Sequence, residues 1–105
     1  MIQYVEFWTQ NDQFFGTLKF TKQVKGLPGD VIKVENRNVY VNGHFVGHAK
    51  PVSQKGIPLT SIQPGVIPPH HYYVAAEPSD SYDSRYANLG LVDEKQIVGR
   101  AYPLF

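Results

Sequence analysis

The chain has 105 residues, enough for one domain built around one core. Ten lysines and arginines stand against nine acidic residues, so the net charge is +1, which leaves no electrostatic footprint for nucleic acid. The absence of cysteine excludes disulfides and thiolate metal sites, and no run of eighteen apolar residues exists to cross a membrane as a helix.

Residues 2–8 (IQYVEFW) are β-branched and aromatic and predict a first strand. Thr9 to Gln13 reads as a polar loop. A second strand is predicted over about 14–25, with Gly16 as the site of a bulge. From Leu18 to Lys25 this strand alternates. Side chains in a strand point to opposite faces with a period of two. Leu18, Phe20, Lys22 and Val24 therefore share one face, and Lys19, Thr21, Gln23 and Lys25 share the other. The second face is polar throughout, whereas the first is apolar except for Lys22. Two readings fit such a lysine. Its stem can pack while the ammonium reaches water. Alternatively the amine is desolvated, which disfavours its charge and brings it toward the range of a general base.

Gly26-Leu27-Pro28-Gly29-Asp30 predicts a type II turn, with proline presetting φ and Gly29 taking a positive φ. No Gly-x-x-x-x-Gly-Lys spacing marks a phosphate loop. Val31–Glu35 reads as a strand and Asn36-Arg37-Asn38 as a turn. The pattern Val39–Val41, Asn42-Gly43, His44–Val46 is the clearest hairpin, because Asn-Gly tolerates a positive φ at both positions. Residues 47–66 read as an irregular surface excursion, and Tyr72–Ala76 as a short, fully buried strand. Glu77–Gly90 is a long polar loop, Asp93–Gln96 a helical turn, and Ile97–Leu104 a closing strand. No segment keeps a 3.6-residue period, so the fold class is all-β. The chain is expected to form a single domain over 1–105, with residues 31–71 as a hairpin and irregular excursion.

Two clusters carry possible chemistry. His44, His48, His70 and His71 lack the spacings of zinc motifs, and no metal or other cofactor is expected. Ser79–Tyr86 concentrates hydroxyls, two carboxylates and an arginine. Asp83 and Arg85 at i, i+2 lie on one side of an extended segment, together with Ser81, and can pair. From composition alone this is equally a solvated loop with local hydrogen bonds.

The run Lys22-Gln23-Val24-Lys25-Gly26-Leu27-Pro28-Gly29-Asp30 resembles the Lys-Arg-Val-x-Gly-Leu-Pro-Gly-Asp box of type I signal peptidases. Ser81-Tyr82-Asp83-Ser84-Arg85-Tyr86 resembles their Ser-x-Asp-Ser-Arg-Tyr box, and Ile97-Val98-Gly99-Arg100-Ala101 their C-terminal Ile-x-Gly-Arg-Ala strand. The three stand in the family's order. Housekeeping members usually carry Gly-Asp-Asn-Arg-Asp-Asn before the serine box. Here Ala75–Asp80 reads Ala-Ala-Glu-Pro-Ser-Asp, which looks more like the conjugative-transfer (TraF-type) peptidases that mature pilin subunits.

The resemblance implies a small coiled, barrel-like antiparallel β-domain and a serine–lysine dyad. Lys22 would be the general base, Ser81 would orient its amine, and Asp83 and Arg85 would form a supporting ion pair. Phe20 and Thr21 would lie beside an extended signal-peptide or prepilin substrate, bound by β-strand addition. No nucleic acid partner is implied. The membrane would be engaged only through an N-terminal anchor, with this domain on the extracytoplasmic side of a bacterial cytoplasmic membrane. The family's nucleophile lies in a Ser-Met-x-Pro box ahead of the lysine, yet residues 1–21 contain no serine and the first is Ser53. The expectation is a soluble fragment of the enzyme, inactive as given, or else a non-catalytic peptide-binding or assembly protein on the same fold. Sheet edges left without a partner would favour a homodimer.

Overall fold

The structure is a computed structural model and describes residues 4–10, 17–76 and 82–101. Strands β1 (Tyr4–Gln10) and β2 (Thr17–Gly26) form an antiparallel ladder running from Tyr4 opposite Gln23 to Gln10 opposite Thr17. Thr9 and Gln10 thus belong to the strand and not to the predicted loop. Ladder bonds are made by the backbone, so polar residues stay extended for as long as the register continues. Gly16, the predicted bulge, lies outside the described residues.

The turn after β2 is the type II turn the sequence predicts. Gly29 has φ +92°, and the Asp30 amide donates to the Leu27 carbonyl at 3.0 Å. The Asp30 carboxylate accepts from the Leu27 amide at 2.9 Å and from the Asn42 side chain at 3.0 Å. This ties the turn to the next hairpin. β3 (Val31–Glu35), β4 (Asn38–Val41) and β5 (His44–His48) follow as a meander. Asn42 and Gly43 take the expected positive φ, at +49° and +83°.

The turn between β3 and β4 is tighter than predicted. Asn36 and Arg37 alone form it, at φ +50° and +64°, and Asn38 already pairs. Arginine is unusual in such a position, and its side chain explains why it holds. The Arg37 guanidinium donates to the carbonyls of Ala49 (2.6 Å), Lys50 (3.0 Å) and Leu59 (2.7 Å). That clasp holds the irregular stretch after β5, which runs over the surface as predicted, with most of residues 51–61 exposed, and is anchored in the core at Ala49 and Ile62. β6 (Gly65–Val66) returns to pair with β3.

β7 (His71–Ala75) pairs with β2, β8 (Val92–Asp93) pairs with β7, and β9 (Ile97–Ala101) pairs with β1. A 3-10 turn at Glu94–Gln96 sits between β8 and β9, with Asp93 and Gln96 forming a capping box. The described residues form two open antiparallel sheets, ordered β8-β7-β2-β1-β9 and β5-β4-β3-β6, with no closed barrel among them. β7 belongs to both cores. Tyr73 and Ala75 pack with Ile32, Val39, Val41, Ile62 and Ile67, while Val74 packs with Val5, Phe7 and Val92. Apolar burial on both faces is why its sequence is a continuous apolar run. Gly26 sits where β2 crosses β7: a Cβ there would lie 2.8 Å from Ile67 Cδ1 and 2.9 Å from Tyr73 Cβ.

Candidate active site

Lys22 stands directly opposite Val5 on the apolar face of the first sheet, between Phe20 and Val24, which both pack on the core. Its amine lies 5.4 Å from the centre of the Phe20 ring. The side chain is half-buried. Desolvation lowers the amine's pKa from the ordinary lysine value; the Asp83 carboxylate opposes this and the Arg85 guanidinium reinforces it. The downward direction is that of the desolvated reading, on a side chain that is half-buried and so also packs its stem as the other reading has it. Lys19, on the other face, is exposed, with Glu6 at 3.9 Å and Trp8 beneath it.

The Asp83-Ser84-Arg85-Tyr86 segment is not a solvated loop. All four residues are buried, at 0 %, 0 %, 2 % and 4 % exposure. Ser84 fastens the segment to β7: its Oγ accepts from the Val74 amide at 2.9 Å, and its own amide donates to the Val74 carbonyl at 3.0 Å. Asp83 and Arg85 then meet as a two-pronged pair, Nε to Oδ1 and Nη2 to Oδ2, each 2.8 Å. The carboxylate also accepts from the Arg85 and Ala76 amides, at 3.0 and 3.2 Å. The guanidinium reaches the carbonyls of Ala76 (3.2 Å) and His48 (3.3 Å). Burial would lower the Arg85 pKa, but hydrogen bonding and charge from Asp83 outweigh it and hold the group above its usual value. The pair that the i, i+2 spacing predicted is present, formed in a tight turn and not on an extended strand. Ser81, Ser79 and the residues between Glu77 and Asp80 lie outside the described residues.

The backbone of β2 adds a second feature. Val74 directs both its amide and its carbonyl at Ser84, away from β2, so the ladder's alternation puts the backbone groups of Gln23 toward β7 and those of Thr21 toward the same side. β7 pairs only from Gln23 onward, and among the described residues no strand lies beside Thr21 on that side. Phe20 faces the apolar core. The four histidines do not converge: His48 bonds the Asn38 side chain, His70 meets Glu94 at 2.8 Å, and His71 meets Asp93 at 3.6 Å.

Sequence reasoning assigned no role to Ser84, Gly47 or Tyr73. Ser84 stood inside the serine box. Gly47 reads in the sequence as the start of the irregular excursion, whereas it belongs to β5, where a glycine usually marks a bulge or a close backbone approach. A Cβ on it would lie 2.7 Å from Arg85 Cζ. Nothing in the sequence separates Tyr73 from Tyr72. Only the fold buries the Tyr73 hydroxyl, which has no hydrogen-bond partner among the described residues.

The described residues thus form a two-sheet β-domain with a half-buried lysine on a central strand and a buried Asp–Arg pair whose charges act on it. The chain matches the family described as "Signal peptidase, peptidase S26" over residues 6–105. It is 33 % identical over 94 residues to "Signal peptidase I" of Bacillus amyloliquefaciens, covering 82 % of this chain and 50 % of that protein. It is 35 % identical over 91 residues to "Probable signal peptidase I-2" of Synechocystis sp., covering 82 % and 38 %. It is 30 % identical over 92 residues to "Conjugal transfer protein TraF" of Agrobacterium tumefaciens, covering 86 % and 51 %. The chain belongs to the signal peptidase family, a family of serine peptidases, and spans about two fifths to one half of these relatives' length.

Proposed function

We propose that this chain is the extracytoplasmic part of a membrane-anchored serine endopeptidase with a Ser/Lys dyad, in which Lys22 is the general base. The observation that carries the reading is the Lys22 amine itself: half-buried, held below its ordinary pKa, and under the charge of the buried Asp83–Arg85 pair. A neutral amine can take the proton of a serine hydroxyl as that oxygen attacks a peptide carbonyl, and can return a proton to the leaving amine. Ser81 is assigned to orient the amine, and Asp83 and Arg85 to hold the surroundings fixed. The reading assigns the nucleophile to a serine ahead of Lys22 in the enzyme; the serines of these 105 residues, from Ser53 onward, all follow it.

The substrate is an extended signal-peptide or prepilin segment laid beside Thr21. Main-chain bonds to the Thr21 amide and carbonyl would provide affinity, and the apolar face around Phe20 would select side chains. The likeness to TraF and the Glu77-Pro78-Ser79-Asp80 sequence favour pilin maturation in conjugative transfer over general export.

The test joins the chain to a serine-bearing N-terminal segment from a signal peptidase relative and assays cleavage of a prepilin peptide and a secretory signal peptide. Cleavage should increase with pH through the Lys22 titration. Lys22→Ala should reduce it by about 10²- to 10⁴-fold, the usual share of a general base. Full activity in Lys22→Ala would remove the mechanism, while cleavage of the secretory peptide alone would remove the conjugative assignment.

A further inference from the structure

The site is built from both sheets. Lys22 and β7 belong to the first, but one wall around Arg85 belongs to the second. Between Val39 and Tyr40 the β4–β5 register shifts, so Val39 faces Gly47 while Tyr40 faces Phe45. This bulge turns Gly47 to φ +152° and presents its bare Cα to the Arg85 guanidinium. A Cβ at Gly47 would lie 2.7 Å from Cζ and 3.0 Å from both Nε and Nη2 of Arg85. The next carbonyl, that of His48, accepts from Nη1 at 3.3 Å, and the His48 ring is itself held by Asn38 at 2.7 Å. The guanidinium is thus confined by β5 on one side, by Ala76 at the end of β7, and by Asp83 within its own turn.

We propose that Gly47 is a positioning residue of the active site: the β4–β5 hairpin seats Arg85, and through the Arg85–Asp83 pair it fixes the charges that face Lys22. The inference rests on the reading of Lys22, Asp83 and Arg85 as the catalytic group, and it adds to that group a residue of the other sheet. The hairpin between the two sequence boxes then acts as a strut for the site, and its length and bulge are constrained by the guanidinium.

The experiment follows the Lys22 amine by NMR titration in the 105-residue chain, with Lys22→Met assigning its signal. In the parent chain the midpoint should lie below those of Lys19 and Lys25. Gly47→Ala, by pushing the guanidinium off Asp83, should remove the lowering influence of Arg85 and shift the Lys22 midpoint measurably upward. Gly43→Ala is the control. It lies in the same hairpin with φ +83° but has open space around it, so it carries the backbone strain without the contact and should leave the midpoint in place. An unchanged midpoint in folded Gly47→Ala overturns the proposal but leaves the parent's lowered midpoint, and so the dyad reading, intact. A parent midpoint equal to those of Lys19 and Lys25 overturns the dyad reading itself. Should Gly47→Ala not fold, the pair Arg85→Ala and Gly47→Ala/Arg85→Ala decides: with the guanidinium gone only the backbone strain at φ +152° remains, so the double variant should melt below Arg85→Ala by about as much as Gly43→Ala melts below the parent, and a much larger drop overturns the proposal.

Discussion

Lys22, Asp83, Arg85 and Tyr73 form one electrostatic neighbourhood, and each makes a different demand on it. The Asp83–Arg85 pair is buried and fully hydrogen-bonded, so breaking it leaves a charge in a dry site. Asp83→Ala is expected to cost about 3–5 kcal/mol, read as a lowered midpoint in urea unfolding. Tyr73→Phe removes a buried hydroxyl with no described partner and should be neutral or slightly stabilising at pH 7. The Tyr73 phenol is pushed up by burial, with Asp83 adding to it and Arg85 opposing. Its folded pKa lies above the unfolded value near ~10, so its contribution is intact below that pH and is lost above it. Tyr73→Phe should therefore flatten the alkaline fall in melting temperature. Lys22 works in the opposite sense. With its folded pKa lowered, the unfolded chain binds more protons between that value and ~10.4, and stability rises with pH across the window. Lys22→Met should melt higher than the parent near pH 7, by a small margin because the amine is half exposed, and the margin should close toward pH 10. At this scale the alternation of β2 singled out Lys22 among three lysines, and the i, i+2 spacing paired Asp83 with Arg85. Tyr73 and Gly47 were invisible because their importance lies in contacts with residues distant in sequence.

Among the elements, β7 and the serine box depend on each other. Ser84 satisfies the backbone of Val74 on the edge that β8 does not reach, and so carries Asp83 and Arg85 to the end of β7. Ser84→Ala would leave a buried Val74 amide without its acceptor, a loss of about 1–3 kcal/mol, visible as faster hydrogen exchange at Val74. Among the described residues, β2 is central where Val24 meets Val74 and pairs on one side at Thr21. Titrating an extended peptide should shift the Thr21 amide first; shifts confined to β5 or β9 would place the peptide elsewhere. Strand identity was legible because period two, Asn-Gly and Pro-Gly are local signals. Less legible were Asn36-Arg37, where an arginine accepts a positive φ because its side chain clasps three carbonyls, and Thr9-Gln10, where the ladder overrides polarity.

For the whole molecule, the sharing of β7 between the two cores predicts a single cooperative unit. Fluorescence of Trp8, in the first sheet, and far-ultraviolet circular dichroism of the whole should report one coincident unfolding transition; two separate transitions would mean that the sheets fold independently. Among the described residues both sheets have open edges, and self-association at high concentration is the expected consequence, measured by light scattering. The sequence by itself determined the all-β class, the longer strands, the face on which Lys22 lies and the family boxes, because turn chemistry and side-chain alternation act over a few residues. Only the tertiary structure decided that residues 83–86 are buried and not solvated, that β7 is shared by two cores, and that a glycine of the second sheet borders Arg85. Those outcomes depend on which surfaces are brought together across dozens of residues, and burial, desolvation and close approach exist only once they meet. The lysine's position was local information; its lowered proton affinity is a property of the assembled fold.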